Sequence, residues 1–574
     1  MSEPSVTLPA CANWTPGSAP CEKLGNKVCT SCKLVVYCSA DCQKAHWLEH
    51  KTYCKSPMSK DKWRPAWHCE RRQPTWETDA AASNPHNAFR SGKYLWGNTP
   101  ALDVLKLERN EGLDYADDIA LLFAASGDLR HVVKTIADIP EGMTQQFRVT
   151  MNDLEFDVVA RNVILLLLAL TAQDSANTPS DIAEALIHVW YSASIPSSVL
   201  SLLQDRVKPL IVEQCSRIAD KPPNAVLAKT WEFSAGQTLH LELKKSDWLR
   251  LREFCDVPDG MTPGNAAQIR TAVTLAPERA DYRDRWYYKE ASPSMRIAKQ
   301  RFREDGLLLP FGHPRGAFDV PNPTLFSSSK SWVIGEQADP SAGWPTMDVK
   351  QTSSPAPGDW YGKLFFFLHK MLEKFLGRLK EIQVTFDLHN VDAKELPRNL
   401  EQGIYSRIEV ANICDSEYLG IRNTLSLLSP LLQLPRHNPH ATFITTFLNA
   451  VKEVAKKEDS DGETGDNKRI TKYLPLQLSL SPSIHDPDLV RMWDARDSVA
   501  DVDKHFERYM VCHGFKQISA GLNVEMKKVH TVVEKWPTRL KLQPGEKGDK
   551  DEFLMLLGST FTATERHVEW RRVE

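Results

Sequence analysis

The sequence lacks a long apolar run, an excess of basic residues and a secretory signal, and each absence excludes a class of protein. The strongest apolar run, 163–170 (VILLLLAL), is about half of the roughly 20 residues that a membrane span needs, so it predicts a buried helix. The 71 basic and 74 acidic residues give a net charge of −3, which creates no field that would attract nucleic acid. The N-terminal region has no basic stretch followed by an apolar one, so we expect a cytoplasmic or nuclear location. In those reducing compartments cysteines bind metal more often than they form disulfides.

Cysteine, in contrast, is concentrated near the start of the chain. The first 54 residues hold most of the 12 cysteines, namely Cys11, Cys21, Cys29, Cys32, Cys38, Cys42 and Cys54. Together with His50 they supply the eight soft ligands that two tetrahedral zinc ions require. Cys29 and Cys32 lie close enough for one tight turn to aim both thiolates at the same ion. From Cys38 onward, ligand-type residues recur every four positions, which on a helix places them on one face; His46 is therefore the rival to His50. A secreted disulfide-bonded fold is the alternative, and the missing signal argues against it.

The pattern C-x2-C-x5-C-x3-C-x7-H-x3-C over residues 29–54 resembles the MYND-type zinc finger. The resemblance implies two interleaved zinc sites, one formed by Cys11, Cys21, Cys38 and Cys42 and the other by Cys29, Cys32, His50 and Cys54. The family usually begins with C-x2-C, whereas Cys11 and Cys21 are much farther apart here. The family spacing makes His50 the ligand and leaves His46 facing solvent.

Zinc sites whose ligands all come from the protein have no open position for a reacting water, so both ions are expected to be structural. A module this small has no adequate core of its own, and its folding depends on the metal. In the MYND family the finger is a protein-interaction module that often binds proline-containing peptides. The resemblance therefore implies a protein partner of that kind.

Composition divides the chain into a finger at 1–56, a linker at 57–90 that lies on a surface, and a large domain at 91–574. The linker is rich in proline and charge, and its Trp63, Trp67 and Trp76 need apolar cover. Because the linker separates the finger from the large domain, we expect each to have its own core. Residues 456–468 (KKEDSDGETGDNK) are charged and contain glycine, which is typical of a mobile surface loop.

The large domain shows the alternation of strands and helices that is typical of an α/β fold. Its predicted strands are 118–124, 146–151, 382–388, 406–412, 441–449 and 567–570, and its predicted helices include 129–139, 154–171, 361–379 and 418–432. From Ile119 to Ala124 the first of these strands is apolar throughout, as in a parallel sheet covered on both faces. The fold class is therefore α/β, with a small N-terminal two-zinc module followed by a large Rossmann-like domain that carries inserted helical segments.

Gly127 follows the first of these strands and Asp153 ends the second. Rossmann-like folds bind a nucleoside with such a pair, because the turn lets backbone approach the ligand and the carboxylate accepts from ribose hydroxyls. Gly127, Asp128 and Asp153 are therefore candidate cofactor-binding residues, although a single glycine is not a G-x-G-x-x-G fingerprint. The alternative is that Asp128 and Asp153 cap the helices that follow them. In either case Gly127 and Asp153 should lie side by side at the carboxyl edge of one parallel sheet.

Several stretches of the large domain resemble the N-terminal domain of axonemal dynein assembly factors, namely 96–103, 126–134, 152–155, 160–161, 301–306 and 315–319. That domain is similar in outline to S-adenosylmethionine-dependent methyltransferases, which implies a methyltransferase-like fold with S-adenosylmethionine as the candidate cofactor. With its finger, the chain also resembles a group of fungal MYND-finger proteins of unassigned function, at 407–412, 438–442, 533–537 and 569–572.

Three functions compete for this sequence. The favoured one is a non-enzymatic adaptor or assembly factor whose finger recruits a protein partner to the large domain. The first alternative is an S-adenosylmethionine-dependent methyltransferase acting on a protein substrate, and the second is a zinc-dependent transcriptional regulator, for which no DNA-reading element is seen. We assign no catalytic residue, because His131, His440 and Cys414 have the positions of ordinary packed side chains. We expect that the protein is not an enzyme.

Overall fold

The computed structural model describes residues 9–15, 17, 19–78, 92–172, 177–234, 236–289, 292–326, 332–455, 463–474, 476, 483–559 and 563–574. The strands in these ranges are β1 Lys27–Val28, β2 Val36–Tyr37, β3 Ile119–Ala124, β4 Gln146–Asn152, β5 Ser194–Ile195, β6 Val226–Glu232, β7 Thr238–Lys244, β8 Val320–Pro321, β9 Gln383–His389, β10 Arg407–Glu409, β11 Thr442–Phe447, β12 Val524–Met526 and β13 Arg566–Arg572. The helices are α1 Ala40–Ala45, α2 Trp47–Cys54, α3 Ala66–Cys69, α4 Thr75–Thr78, α5 Arg130–Ala137, α6 Phe156–Thr171, α7 Pro179–Tyr191, α8 Ser197–Leu202, α9 Lys208–Arg217, α10 Lys245–Glu253, α11 Pro263–Thr274, α12 Ala280–Lys289, α13 Pro293–Asp305, α14 Pro323–Phe326, α15 Thr346–Gln351, α16 Trp360–Glu381, α17 Leu396–Asn399, α18 Ile421–Leu428, α19 Ala450–Val454, α20 Glu463–Tyr473, α21 Pro487–Asp494, α22 Val502–Cys512, α23 Phe515–Leu522 and α24 Asp549–Gly558.

Within the described ranges, nine strands form one sheet in the order β12-β13-β11-β10-β3-β4-β9-β7-β6. The six strands from β11 to β7 pair in parallel, whereas β13 is antiparallel to both β11 and β12, and β6 is antiparallel to β7. The apolar runs that predicted strands correspond to β3, β4, β9 and β11. The predicted strand at 406–412 is shorter, because Ala411 adopts a left-handed φ of 44° just after β10.

The sheet is covered by helices on both faces, and β3 lies at its centre. Ile119, Leu121 and Phe123 of β3 belong to a cluster of buried apolar residues that includes α5, α6 and α16. Their neighbours Ala120 and Leu122 face the opposite cluster, which includes α18, α22 and α23. Strand order also reverses at β3, because β4 and β9 follow on one side and β10 and β11 on the other. Such a reversal leaves a crevice beyond the carboxyl ends of the central strands.

The long segment between β4 and β9 holds the predicted helical insertion, from α7 to α15, and also a β6–β7 hairpin that the sequence reasoning missed. The hairpin lengthens the parallel sheet at one edge, with β7 paired to β9. Leu239, Leu241 and Leu243 alternate along β7 and are fully buried. This period-two pattern is the signal that could have predicted the strand.

The predicted mobile loop at 456–468 falls partly outside the described residues, which exclude 456–462. From Glu463 the chain is helical, in α20, and Ile470 and Tyr473 of this helix are buried in a small cluster with Phe553 of α24. Residues 463–468 of the predicted loop are therefore helical, contrary to the loop expectation, and the buried residues of the helix follow them. None of the helices in the described ranges has the length and apolar character that crossing a bilayer requires.

The finger and the large domain do not have separate cores, which corrects the expectation drawn from the linker. Ala12, Leu34, Val35 and Tyr37 of the finger belong to the same cluster of buried apolar residues as β3, α6 and α16. The finger is thus packed on the large domain through its apolar side.

Candidate metal centres and the sheet crevice

The first group of metal-ligating side chains is formed by Cys11, Cys21, Cys38 and Cys42. Sulfur–sulfur distances are 3.8 Å between Cys21 and Cys38, 3.4 Å between Cys38 and Cys42, and 3.9 Å between Cys42 and Cys21. Cys11 Sγ accepts a hydrogen bond from Cys38 N at 3.4 Å. Ser39 fixes the start of α1, because its hydroxyl accepts from Cys42 N.

The second group is formed by Cys29, Cys32, His50 and Cys54, all of them buried. His50 Nε2 lies 3.4 Å from Cys29 Sγ and 3.7 Å from Cys32 Sγ, and Cys29 Sγ is 4.0 Å from Cys54 Sγ. Cys29 and Cys32 lie in the turn between β1 and β2, where Lys33 N donates to Cys29 O. His50 and Cys54 lie one turn apart on α2.

Both groups fit tetrahedral zinc. Two sulfur atoms that bind the same tetrahedral zinc ion, each at about 2.3 Å, are roughly 3.8 Å apart. The observed sulfur–sulfur distances lie on both sides of that value. In each group all the ligand atoms lie within 4.8 Å of one another. The two sets alternate along the chain, so each ion ties together segments that the other also holds. With four protein ligands apiece, the ions would be structural and would leave no position for a reacting water.

The closely packed thiols of the two groups differ in pKa. Hydrogen bonds from Cys32 and then from His50 lower the pKa of Cys29 to about 3, and those from Ser39 and Cys38 lower the pKa of Cys42 to about 7. Burial raises the pKa of Cys11 to about 12. Closely packed thiols therefore share protons unequally, and a divalent metal ion is what allows all of them to be thiolates at neutral pH.

His46 belongs to neither group, and it does not face solvent as the family spacing implied. It is buried, its Nδ1 lies 3.0 Å from the Tyr37 hydroxyl, and its ring stacks between Trp14 and His50. Burial lowers the pKa of His46 to about 4, so the ring is neutral at physiological pH. Its role is to pack the inside of the finger.

Two hydrogen bonds to backbone carbonyl oxygens fasten the finger to the large domain. Trp14 Nε1 donates to Gly312 O at 2.9 Å, and Gly358 N donates to Lys33 O at 2.9 Å. The approach at Gly312 is close, since a Cβ there would lie 3.0 Å from the Cβ of Ala12. Glycine is thus the residue that lets the two surfaces meet.

Aromatic and cationic side chains complete this interface. Tyr53, at the end of α2, meets Phe311 edge to face with ring centroids 5.2 Å apart. The Arg301 guanidinium lies over both rings, at 5.0 Å from the centroid of Tyr53 and 4.3 Å from that of Phe311. Arg296, on the same helix α13, donates to the carbonyl oxygens of Met58 and Lys60 just beyond the finger.

The segment after the finger lies against α12, as far as residue 78. Trp67 and Trp76 are buried against Tyr282, and Trp67 Nε1 donates to His485 O. Arg72 makes a bidentate ion pair with buried Asp281, at 2.5 and 2.7 Å. The later part of the predicted linker, 79–90, lies outside the described residues.

At the sheet crevice, Gly127 and Asp153 lie side by side beyond the paired strands β3 and β4, as predicted. Gly127 N donates to Asp153 Oδ2 at 3.0 Å, and Glu155 N donates to Asp153 Oδ1 at 2.9 Å. Both carboxylate oxygens therefore serve the turn and the start of α6. Burial raises the pKa of Asp153. The carboxylate is thus held by the chain itself, although it does not cap α6, whose N-cap residue is Glu155.

Both carboxylate oxygens of Asp128 also accept hydrogen bonds from the chain itself. Its Oδ1 accepts from Arg130 Nη1 at 2.7 Å, and its Oδ2 accepts from Gly97 N at 2.8 Å and from Trp190 Nε1 at 3.3 Å. Arg130 in turn donates to the carbonyl and hydroxyl oxygens of Thr99, each at 2.8 Å. The chain around Gly97 thus lies over the turn that follows β3. S-adenosylmethionine binding at these residues is not supported.

The chain around residue 97 can approach Arg130 and the turn after β3 closely because residue 97 is a glycine. A Cβ at residue 97 would lie 2.4 Å from Cδ of Arg130, well inside contact distance. The sequence reasoning singled out 96–103 through a resemblance and missed the role of Gly97 and Arg130. A glycine beside a tryptophan, followed by Asn-Thr-Pro, was the available signal of a tight backbone approach.

The fold and the two Cys/His groups define an α/β protein that carries a small zinc-binding finger. Residues 19–54 match the family model of the MYND finger, and residues 95–195 match that of a domain of unknown function, DUF4470. The finger is thus a MYND-type module for zinc binding and protein interaction. No solved structure matches the chain. Cys11 precedes the matched finger segment, so the structure supplies one ligand that the family match omits.

Proposed function

We propose that this protein is a non-enzymatic adaptor or assembly factor, in which the MYND finger binds a protein partner and the large domain is the platform that presents it. The proposal rests on the hydrogen bonds that the carboxylates at the crevice accept. Asp128 and Asp153 would have to face a nucleoside, yet both oxygens of each carboxylate accept hydrogen bonds from the chain itself. A cytoplasmic or nuclear location completes the proposal.

The large domain is, in this proposal, Rossmann-like with a methyltransferase-like outline. The support is topological: parallel strands extend to both sides of β3, the order reverses there, and helices cover both faces. The same outline favours the second candidate, an S-adenosylmethionine-dependent methyltransferase acting on a protein. That candidate needs Gly127 and Asp153 to exchange their mutual hydrogen bond for contacts with the cofactor.

Thermal unfolding with and without S-adenosylmethionine distinguishes the two candidates. A ligand bound with micromolar affinity stabilises the folded state by about 4 kcal/mol at millimolar concentration. The adaptor proposal predicts no shift of the melting temperature at 1 mM ligand. A reproducible rise that Asp153→Asn removes would favour the methyltransferase instead.

The partner proposed for the finger is a proline-containing peptide segment of another protein. Apolar side chains are available for it, because Leu24, Trp47 and Leu48 of the finger are exposed in spite of their size. We assign peptide contacts to these three exposed side chains of the finger. None of the three is a ligand of either Cys/His group.

Fluorescence anisotropy with labelled proline-containing peptides tests this partner. Leu48 is 70% exposed, so Leu48→Ala should weaken peptide binding several-fold and leave the zinc content unchanged. Leu154→Ala, at a comparably exposed leucine of the large domain, is the matched control. Equal effects of the two variants, or no binding by the unmodified protein, would refute the finger as the docking site for such peptides.

A further inference from the structure

A cavity of about 360 Å³ lies where the first turns of α13 and α16 meet α15 and α24. It is separate from the Cys/His groups and from the crevice beyond β3. Its volume is within the range of roughly 300–1,000 Å³ that is usual for small-molecule sites. Apolar side chains such as Trp360 and Met555 line it together with three lysines, Lys299, Lys350 and Lys363.

The lining of this cavity carries a net positive charge, because it holds three lysines and one aspartate, Asp551. Within the described residues, Lys350 and Lys363 form no ion pair, and Lys363 Nζ donates to Lys350 O at 2.7 Å. Burial, and then the neighbouring Lys350, lower the pKa of Lys363, so an anion beside these ammonium groups would be stabilised. Lys299 lies 3.6 Å from Asp339, and Asp551 is the carboxylate that lines the cavity.

Trp360 forms part of the apolar lining of the cavity. Its side chain is only 8% exposed, and its indole nitrogen is inaccessible to solvent, so the ring offers a bound molecule packing area and not a hydrogen-bond donor.

We propose that this cavity binds a small anionic amphiphile, a molecule with one carboxylate or phosphate head group on a short apolar chain or ring. The head group would lie beside Lys350 and Lys363, which form no ion pair within the described residues. The apolar body would pack against Met295, Trp360 and Met555. The site stands independently of the adaptor function, because it uses neither the finger's exposed face nor its ligands.

Isothermal titration calorimetry with octanoate and octyl phosphate tests the proposal on the full chain. We expect both to bind the unmodified protein and octylammonium, which has the opposite charge, not to bind. Lys350→Ala/Lys363→Ala should weaken binding at least ten-fold. Lys244→Ala/Lys380→Ala, which removes the same charge from exposed lysines outside the cavity, should leave the affinity unchanged.

Trp360→Ala removes part of the apolar lining, so it should weaken octanoate binding several-fold. Failure of both anions to bind at millimolar concentration would overturn the proposal, as would equal losses in the two lysine double variants. It would also be overturned if a peptide of alternating glutamate and leucine bound at Lys350 and Lys363 while octanoate did not, since the cavity would then serve a protein.

Discussion

Loss of the second zinc site should destabilise the large domain as well as the finger. Cys32→Ala removes a buried ligand, so the chain should retain fewer than two zinc ions and the finger should come away from its docking surface. The large domain would then lose the hydrogen bonds at Gly312 and Gly358 and the contacts that Tyr53 makes with Phe311 and with the Arg301 guanidinium. At about 1 kcal/mol for each of these contacts, the loss is roughly 4 kcal/mol.

That free energy corresponds to a measurable shift in scanning calorimetry. The unfolding entropy of a region the size of the large domain is about 1 kcal/mol/K, so its transition should fall by about 4 °C. Cys69→Ala, at an exposed cysteine beyond the finger, is the control and should leave the transition unchanged. If Cys32→Ala loses zinc and the large-domain transition does not move, the finger is an independent module and the coupling inferred from the shared core is wrong.

Three further predictions follow from the sites described. Cys11→Ala should reduce the zinc content measured by elemental analysis, because Cys11 completes the first ligand group; an unchanged value of two would exclude it as a ligand. Gly97→Ala should destabilise the protein to urea by about 1–3 kcal/mol through its clash with Arg130, and Arg130→Ala should relieve part of that penalty; additive losses would contradict the clash. Burial raises the pKa of Glu409 to about 7, so the folded chain favours the neutral carboxyl group. The contribution of this group to the free energy of unfolding is fully present below pH 4.5 and is lost as the pH rises through 7. Glu409→Gln should therefore flatten the fall in melting temperature between pH 5 and 8, and exposed Glu507→Gln should not; equal pH profiles would refute the assignment.

The zinc ligands could be predicted from the sequence because metal chemistry fixes residue type and spacing over short distances. Cys29, Cys32, His50 and Cys54 lie within one short segment, and their pattern needs no knowledge of the fold. The central strands were equally predictable, since a parallel strand buried on both faces is apolar throughout. The position of Gly127 next to Asp153 followed from the handedness of the crossover between β3 and β4.

The docking of the finger could not be predicted, because the contacts join residues that are far apart in the chain and carry no local pattern. Trp14 and Gly312 are separated by 298 positions, and nothing near either residue indicates the other. The hydrogen-bond partners of Asp128 could not be predicted either, because a carboxylate after a strand has the same sequence pattern whether it binds a ligand or the chain itself. The structure resolves that ambiguity through the donors that surround it.

The separation between Trp14 and Gly312 also sets the order of events during translation. At about 5–20 residues per second, the ribosome needs roughly 15–60 s to make the residues between the finger and its docking surface. The metal sites can form early, since their ligands end at Cys54. Until Gly312 has been made, the face of the nascent finger that carries Trp14 and Tyr53 has no counterpart to cover it. A chaperone or the partner protein itself would meet that face before the large domain does.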